Sequence, residues 1–439
     1  MNILLSAVIA AIVLVWGLDV TASAIPAGVH PLWQGRQEAL YLSGLLSIAL
    51  MSVSMLLATR PTWLEAPLGG MDRVYRTHKW AGLLAGLFAI LHWLIEMADD
   101  ILKSSIGREG RLPKEKFSGV LGALRDLAED MGEWAFYVII AMLLIALWKK
   151  FPYRPWRFLH RAMPVLYLML AFHAALLSPL DYWQQPVGAL LAAFLVAGSY
   201  GAGRSLLGNI GRQRQATGEI LSVEQPTADL TTVRCRLDGW RGHRPGQFAF
   251  VTFDTGEPAH PFTIASADRG DGIVTFQIKA LGDFTRNLPS RIRAGQSLVV
   301  EGPYGRFDMA RLDRRARQVW VAGGVGVTPF LAWVEALQAE PAAAPDADLH
   351  YCTRDGEGDP FVARLQSLCA GLPSIRLLIH DARLGERLDA AALLSAEQSP
   401  RRSEIWFCGP AGLAQLIRDG LPRTGSGRVR FHQEVFAMR

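Results

Sequence analysis

Four histidines stand inside apolar stretches of this chain. His78 and His92 lie fourteen residues apart in "RTHKWAGLLAGLFAILHWL", and His160 and His173 lie thirteen apart in "RFLHRAMPVLYLMLAFHAAL". An imidazole inside such a segment is costly and turns toward the interior of a helix bundle. Four independent polar contacts between helices would account for each histidine singly, whereas metal or haem ligation would account for them as pairs. Fourteen helical residues rise ~21 Å and complete nearly a whole number of turns. His78 and His92 therefore share a helix face, one near each side of a membrane. Thirteen residues rise almost as far but turn about 140° short of a common face. Pro164 sits four residues after His160 and removes that residue's helical hydrogen bond. A kink there would re-aim one imidazole. His78 then pairs with His160, and His92 with His173, as two stacked bis-histidine sites suited to two b-type haems. Such ligation leaves iron no open position and favours electron transfer over ligand binding.

The elements that would carry these residues are membrane spans. A spanning helix needs ~20 mostly apolar residues, and six segments qualify: 3–20, 38–59, 77–98, 133–149, 156–178 and 184–203. Arg60, Arg73, Arg76 and Lys79 flank the second and third. Lys149, Lys150, Arg154 and Arg157 fill the link between the fourth and fifth, and Arg204, Arg212 and Arg214 follow the sixth. The positive-inside rule places these on the cytoplasmic side, with the loop 99–131 outside. Six spans return the chain to the inside, where its soluble half must lie. "TASA" after the first apolar run also suits a signal-peptidase site, but no Lys or Arg precedes that run, so a retained helix is the expectation. These features imply an integral membrane protein, placed in a bacterial inner membrane with its soluble half cytoplasmic.

Half of the 439 residues are hydrophobic, and the net charge is +5. Long apolar runs fill the chain before about residue 203; charge and glycine rise after it. The basic residues form no block of the kind that binds nucleic acid. Cys235, Cys352, Cys369 and Cys408 are scattered without a C-x-x-C spacing, which argues against an iron–sulfur or zinc site. All four lie in the soluble half, which suggests a reducing compartment without structural disulfides.

From about residue 216 short strand-like runs follow one another: "GEILSVEQ", "TTVRCRL", "FAFVTF", "IVTFQIKA" and "SLVVEGP". Their spacing predicts a small β-barrel. Within it, His260-Pro261-Phe262-Thr263-Ile264-Ala265-Ser266 and Gly282-Asp283-Phe284-Thr285 offer hydroxyls and backbone N–H groups. A helix-like "NLPSRI" follows the second segment. Such groups at a helix start can hold a diphosphate; the alternative is plain strand ends and turns. From about 317 the pattern becomes strand, glycine turn, helix in "RQVWVAGGVGVTPFLAWVEAL", where Gly323, Gly324 and Gly326 would let backbone approach a phosphate beside Thr328. Pro329 suits a first helical turn. "SEIWFCGPAGLAQLIRDGL" repeats the arrangement with Gly409 and Pro410. Alternating strands and helices predict a parallel doubly wound sheet with its ligand at the strands' C-terminal ends. The expected layout is a six-helix transmembrane haem domain over 1–210, a small β-barrel domain over 216–312 that the resemblance below makes FAD-binding, and an α/β nucleotide-binding domain over 317–439.

H-P-F-T at 260–263, G-G-V-G-V-T-P at 323–329, C-G-P at 408–410 and the two histidine pairs occur together in this order. In this the chain resembles, over about residues 40–439, the NADPH oxidase and ferric reductase superfamily, with a soluble part similar to ferredoxin–NADP reductase. The resemblance implies that His260 to Ser266 hold the flavin and ribityl-phosphate of FAD, and that Gly282 and Thr285 bind its diphosphate. It implies that Gly323 to Pro329 bind the nicotinamide dinucleotide, with Cys408, Gly409 and Pro410 beside the nicotinamide. Arg354, after "HYCT", would contact a 2′-phosphate and select NADPH. Phe436 in the C-terminal "FHQEVFAMR" would stack on the isoalloxazine, or pack as a core residue of a last edge strand. The implied activity moves electrons from NADPH through FAD and two haems to an outer acceptor. Oxygen, giving superoxide, is placed ahead of a ferric chelate. Other readings are an electron-delivery subunit for a quinone or periplasmic redox partner, and a haem-binding sensor without turnover. The chain lacks an EF-hand-like calcium pattern, so no calcium regulation is expected.

Overall fold

A computed structural model describes residues 3–22, 28–112, 117–148, 150–389, 393, 402–421 and 429–433. The chain divides into two compact units. One comprises Met1–Leu68 with Arg73–Ile210; the other comprises Gly69–Asp72 with Gly211–Arg439.

Helices make up the first unit: α1 (Ile3–Ala22), α2 (Pro31–Ala58), α3 (Thr62–Leu68), α4 (Met71–Ile106), α5 (Gly119–Leu147), α6 (Tyr153–His160), α7 (Met163–Leu177) and α8 (Pro186–Leu206). Among the described residues six stretches are long and apolar enough to cross a membrane: α1, α2, α4, α5, Pro155–Leu177 and α8. Each coincides with one of the six segments expected from the sequence. Leu14, Leu144 and Val196 are 64–70% exposed, as suits side chains whose solvent is hydrocarbon. Of these six, α2 is the most enclosed, packed against α1, α7 and α8. Small residues permit this approach. A Cβ at Gly201 would stand 2.6 Å from the Met55 carbonyl, and one at Gly198 would stand 2.1 Å from the Tyr167 hydroxyl. That hydroxyl in turn lies 2.9 Å from Ser52 Oγ.

Two details differ from, or sharpen, the sequence reading. The fifth span is broken: α6 ends at His160, α7 begins at Met163, and i→i−3 bonds from Arg161 and Ala162 tighten the link. Pro164, which cannot donate to the His160 carbonyl, explains the position of the break. The loop expected over 99–131 is shortened from both sides, because α4 runs on to Ile106 and α5 already begins at Gly119. Lys103 pairs with Asp99 at 2.6 Å and with Asp100 at 3.0 Å, and such i,i+3 and i,i+4 pairs sustain a helix outside the apolar region.

The second unit holds two sheets. Strands β1 (Gln215–Thr227), β2 (Leu230–Leu237), β3 (Phe248–Phe253), β4 (His260–Thr263), β5 (Ile273–Lys279) and β6 (Ser297–Tyr304) run in the order β4-β3-β6-β1-β2-β5, and each neighbouring pair is antiparallel. The two edges meet where Ile264, just past β4, bridges to Phe276 on β5. The sheet thus curls toward a barrel around Ile220, Val233, Val251, Val274 and Phe276. Helix α9 (Asp283–Arg291) lies between β5 and β6.

Strands β7 (Arg317–Gly323), β8 (Ala347–Thr353), β9 (Ile375–Asp381), β10 (Ser403–Cys408) and β11 (Val429–Gln433) form an all-parallel sheet in the order β11-β10-β7-β8-β9. Helices α10 (Thr328–Gln338), α11 (Pro360–Cys369) and α12 (Ala411–Gly420) follow β7, β8 and β10. Trp320, Phe330, Trp333 and Trp406 pack on one face; Val319, Val321, Ile405 and Phe407 pack on the other. Trp333 also reaches the first sheet's connecting loop, donating to the Pro245 carbonyl at 2.9 Å.

On β8 and β9, His350 Nδ1 and His380 Nε2 share one hydrogen bond at 3.0 Å. Burial and the neighbouring His380 push His350 down to about 4 from its ordinary 6.5. The unfolded chain therefore binds more protons than the folded one between these values, so stability falls as pH drops from 6.5 toward 4. A urea titration of the full chain in detergent should show the midpoint of this unit decreasing over that window. His350→Gln should remove part of the decrease.

Candidate functional site

The four histidine rings stand in two pairs. His78 and His160 have ring centroids 6.2 Å apart, and His92 and His173 have theirs 6.5 Å apart. A metal–imidazole bond is about 2 Å, and nitrogen to ring centre adds roughly 1.1 Å. Two imidazoles on opposite sides of one metal ion are therefore separated by about 6.2 Å, which matches both pairs. Among the described residues no group of three or more His, Cys, Asp or Glu is placed to hold a metal ion. Each histidine pair would thus offer two imidazole ligands, a number that suits a haem iron.

Proton placement fits the same group. His78 Nδ1 lies 2.9 Å from the Ser54 carbonyl, His92 Nδ1 lies 3.0 Å from that of Leu40, and His173 Nδ1 lies 2.9 Å from that of Ala128. A carbonyl only accepts, so each Nδ1 carries the proton and each Nε2 is left as a lone-pair donor. This is the tautomer of a ligating imidazole whose other nitrogen is fixed by a backbone carbonyl. His160 closes α6, with the Trp156 ring 5.1 Å from its own.

In the second unit, β4 and the first turn of α9 come together. The His260 ring stacks on Phe284 at 4.1 Å and 8°, which joins the H-P-F-T and G-D-F-T segments. Pro261 and Phe262 are half-buried, and Thr263 and Ile264 are buried. Gly282 is the N-cap of α9. Thr285 Oγ1 accepts from the backbone N–H of Leu281 at 2.9 Å and of Gly282 at 3.0 Å. The helix therefore starts at Asp283, earlier than the sequence pattern suggested, and Thr285 organises its mouth. The N–H groups of that first turn have no intrahelical acceptor, and such groups favour an anion. Ser266 Oγ accepts from Thr275 N at 3.1 Å, so this hydroxyl braces β5.

His243 escaped the sequence reading. Its ring is buried; Nε2 donates to the Ser266 carbonyl at 3.0 Å and Nδ1 accepts from Trp240 Nε1 at 3.3 Å. Burial pushes its pKa down, consistent with a neutral ring that clamps the end of the H-P-F-T segment. A lone histidine in a loop gave no sequence signal for this role.

The two glycine turns meet at the point where the parallel sheet changes winding direction, between β7 and β10. That is where ligands bind in doubly wound sheets. A Cβ at Gly326 would stand 2.3 Å from the Cys408 carbonyl, and one at Gly323 would stand 2.8 Å from Pro410 Cδ. A Cβ at Gly409 would stand 3.0 Å from Gly323 N. Gly324 differs: its φ is +55° and the space around it is open. Thr328 is buried and donates to the Val325 carbonyl at 3.0 Å, closing the turn ahead of Pro329. Arg354 is exposed just beyond β8, at the same end of the sheet. Phe436 lies outside the described residues.

The glycine geometry separates two kinds of substitution. Gly326→Ala drives a methyl into backbone and should destabilise the fold by about 1–3 kcal/mol. Gly324→Ala meets only the left-handed backbone cost of about 1–2 kcal/mol. Chemical denaturation of both variants should rank Gly326→Ala as the more damaging, and restoration of stability by a smaller partner at 408–410 should not be attainable because the obstacle is main chain.

Comparison with known proteins bears on both units. The family described as ferric reductase like transmembrane component matches residues 43–171, and the family described as FAD-binding domain matches residues 219–308. The vanillate O-demethylase oxidoreductase of Pseudomonas putida is 32% identical over 154 residues, 35% of this chain and 45% of that protein. The carnitine monooxygenase reductase subunit of Escherichia coli is 29% identical over 154 residues, again 35% and 45%. The reductase component of propane 2-monooxygenase from Mycolicibacterium goodii is 25% identical over 251 residues, 53% of this chain and 71% of that one. The chain spans less than half the length of the first two relatives. The chain thus carries a segment similar to the ferric reductase like transmembrane component in its first unit and one similar to an FAD-binding domain in its second.

Proposed function

We propose that this protein is a membrane oxidoreductase that takes electrons from NADPH and delivers them across the membrane to a small-molecule acceptor, with oxygen giving superoxide as the preferred reaction. The observation that carries the reading is the double histidine pair: ring separations of 6.2 and 6.5 Å, with three of the four rings fixed as Nδ1–H tautomers. When bound, FAD would split the electron pair of one hydride into two single electrons, and haems held by the histidine pairs would carry them singly.

The chain's own groups supply position. His260 to Ser266 with Gly282 and Thr285 would hold FAD, the strand end placing the flavin and the α9 mouth meeting the diphosphate. Gly323, Gly324 and Gly326 would let main chain approach the nicotinamide dinucleotide, with Pro329 starting the helix behind it. Cys408, Gly409 and Pro410 would border the nicotinamide. Arg354 would meet a 2′-phosphate. His78 with His160, and His92 with His173, would hold the haems, and their apolar surroundings exclude water from the electron path. Phe436 would cover the isoalloxazine.

The test is spectroscopic. The full chain, purified in detergent with FAD, is given NADPH without oxygen while haem absorbance is followed; air or ferric citrate is then admitted separately. Reduction of a b-type spectrum followed by fast reoxidation in air with superoxide formed is expected. Reoxidation by ferric citrate alone would make iron reduction the function. Absence of haem reduction despite bound FAD would defeat the proposed path. Replacement of His92 by Ala should leave about half of the haem per chain. Arg354→Ser should raise KM for NADPH about tenfold or more, equivalent to about 1.4 kcal/mol, and leave KM for NADH nearly unchanged.

A further inference from the structure

His92 and His173 belong to different helices, yet a third and a fourth helix seat them in the same way. On α2 the Leu40 carbonyl accepts from His92 Nδ1 at 3.0 Å. Four residues on, Gly44 lies against the ring, where a Cβ would stand 3.1 Å from both Nδ1 and Cε1. On α5 the Ala128 carbonyl accepts from His173 Nδ1 at 2.9 Å. Four residues on, Gly132 lies against that ring, where a Cβ would stand 2.1 Å from Nδ1.

The spacing of four has a physical origin. A helical carbonyl already accepts from the N–H four residues later, and it keeps a second lone pair. Each Cα–Cβ bond tilts toward the helix N-terminus, so a side chain at that later position overlies the carbonyl. Glycine removes the obstruction and lets an imidazole reach the second lone pair. Ser43 Oγ stands 3.4 Å from His92 Nδ1 beside that seat, and His78 is seated without a glycine. The carbonyl that accepts from His78 is that of Ser54, whose own hydroxyl lies 3.0 Å from the same nitrogen, and the residue four on is Ala58.

We propose that Gly44 and Gly132 are positioning residues, which set the planes and the proton placement of the His92–His173 pair through matched carbonyl-and-glycine seats. The proposal rests on the reading of these histidines as axial haem ligands. It gives each ring its own fixed seat, and the two planes stand 83° apart, against 50° for His78 and His160. A firm Nδ1–H bond to a carbonyl also raises the basicity of the ligating nitrogen, which favours ferric over ferrous iron. Loosening either seat should therefore rotate one ligand plane and raise one potential.

The full chain in detergent, oxidised, is examined by low-temperature electron paramagnetic resonance, by haem content per chain and by redox titration of haem absorbance. Gly44→Ala and Gly132→Ala are compared with Gly82→Ala, whose Cβ would make ordinary contact at 3.8 Å with Ser54 Oγ. Gly44→Ala should retain two haems, move one of two low-spin signals and raise one of two midpoint potentials. Gly132→Ala, with the deeper overlap, should lose one haem and keep the other unchanged. Gly82→Ala should behave as the parent. Unmoved signals and potentials in Gly44→Ala, with full haem in Gly132→Ala, would overturn the proposal. So would equal movement of both signals. A parent protein that binds no haem would remove the ligand reading itself, and that result is distinct because it appears before any substitution is made.

Discussion

A polar atom in hydrocarbon has no water to turn to, so an imidazole in a spanning helix must find a partner for its N–H within the protein. Here the partner is main chain, and that choice ties the helices together. Leu40, Ser47 and Ser54 follow one another at seven-residue intervals on α2. They meet His92, Ala85 and His78, at the same interval in reverse on α4: two Nδ1–H bonds to carbonyls flank one bond from Ser47 Oγ to the Ala85 carbonyl at 3.0 Å. One antiparallel register satisfies all three. A slip of either helix by a residue would break the three together. The register therefore fixes the height of both histidines in the membrane, and close packing of α2 on α8 at Gly198 and Gly201 holds α2 where the histidines need it.

The broken fifth span belongs to the same constraint. A continuous helix would present His160 and His173 on different faces. Ending α6 at His160 and restarting at Met163 lets the two rings reach opposite ends of α4. Proline does this without an unmet donor, since it has no N–H to leave stranded.

In the second unit, main chain again does what side chains could not. The turns after β7 and β10 approach so closely that any Cβ at Gly326 or Gly323 would overlap the opposite turn. Two strand-to-helix turns side by side bring two helix N-termini to one place, where their dipoles add in favour of an anion. The polar side chains nearby serve the frame: Thr328 closes its own turn, Thr285 caps α9, and Ser266 braces β5.

The sequence by itself determined the number of spans and the existence of both sheets. Those features are written in apolar run length, in strand and glycine periodicity and in residue spacing, all of which are local. The segments holding His260 and Gly326 were likewise legible as motifs, because each is contiguous. What lay beyond it was everything set by approach between distant segments. Gly44 and Gly132 look like any glycine in a span until the rings of His92 and His173 are laid against them. Ser54 and Leu40 carry no motif, since the acceptor they contribute is a carbonyl that every residue has. His243 gains its role only when the curled sheet brings Ser266 to it. The earlier start of α9 and the shorter loop after α4 were decided by capping and ion-pair contacts. The tertiary structure alone assigns such roles, because a hydrogen bond to main chain, or the room left by a missing Cβ, depends on which helix lies opposite and in what register.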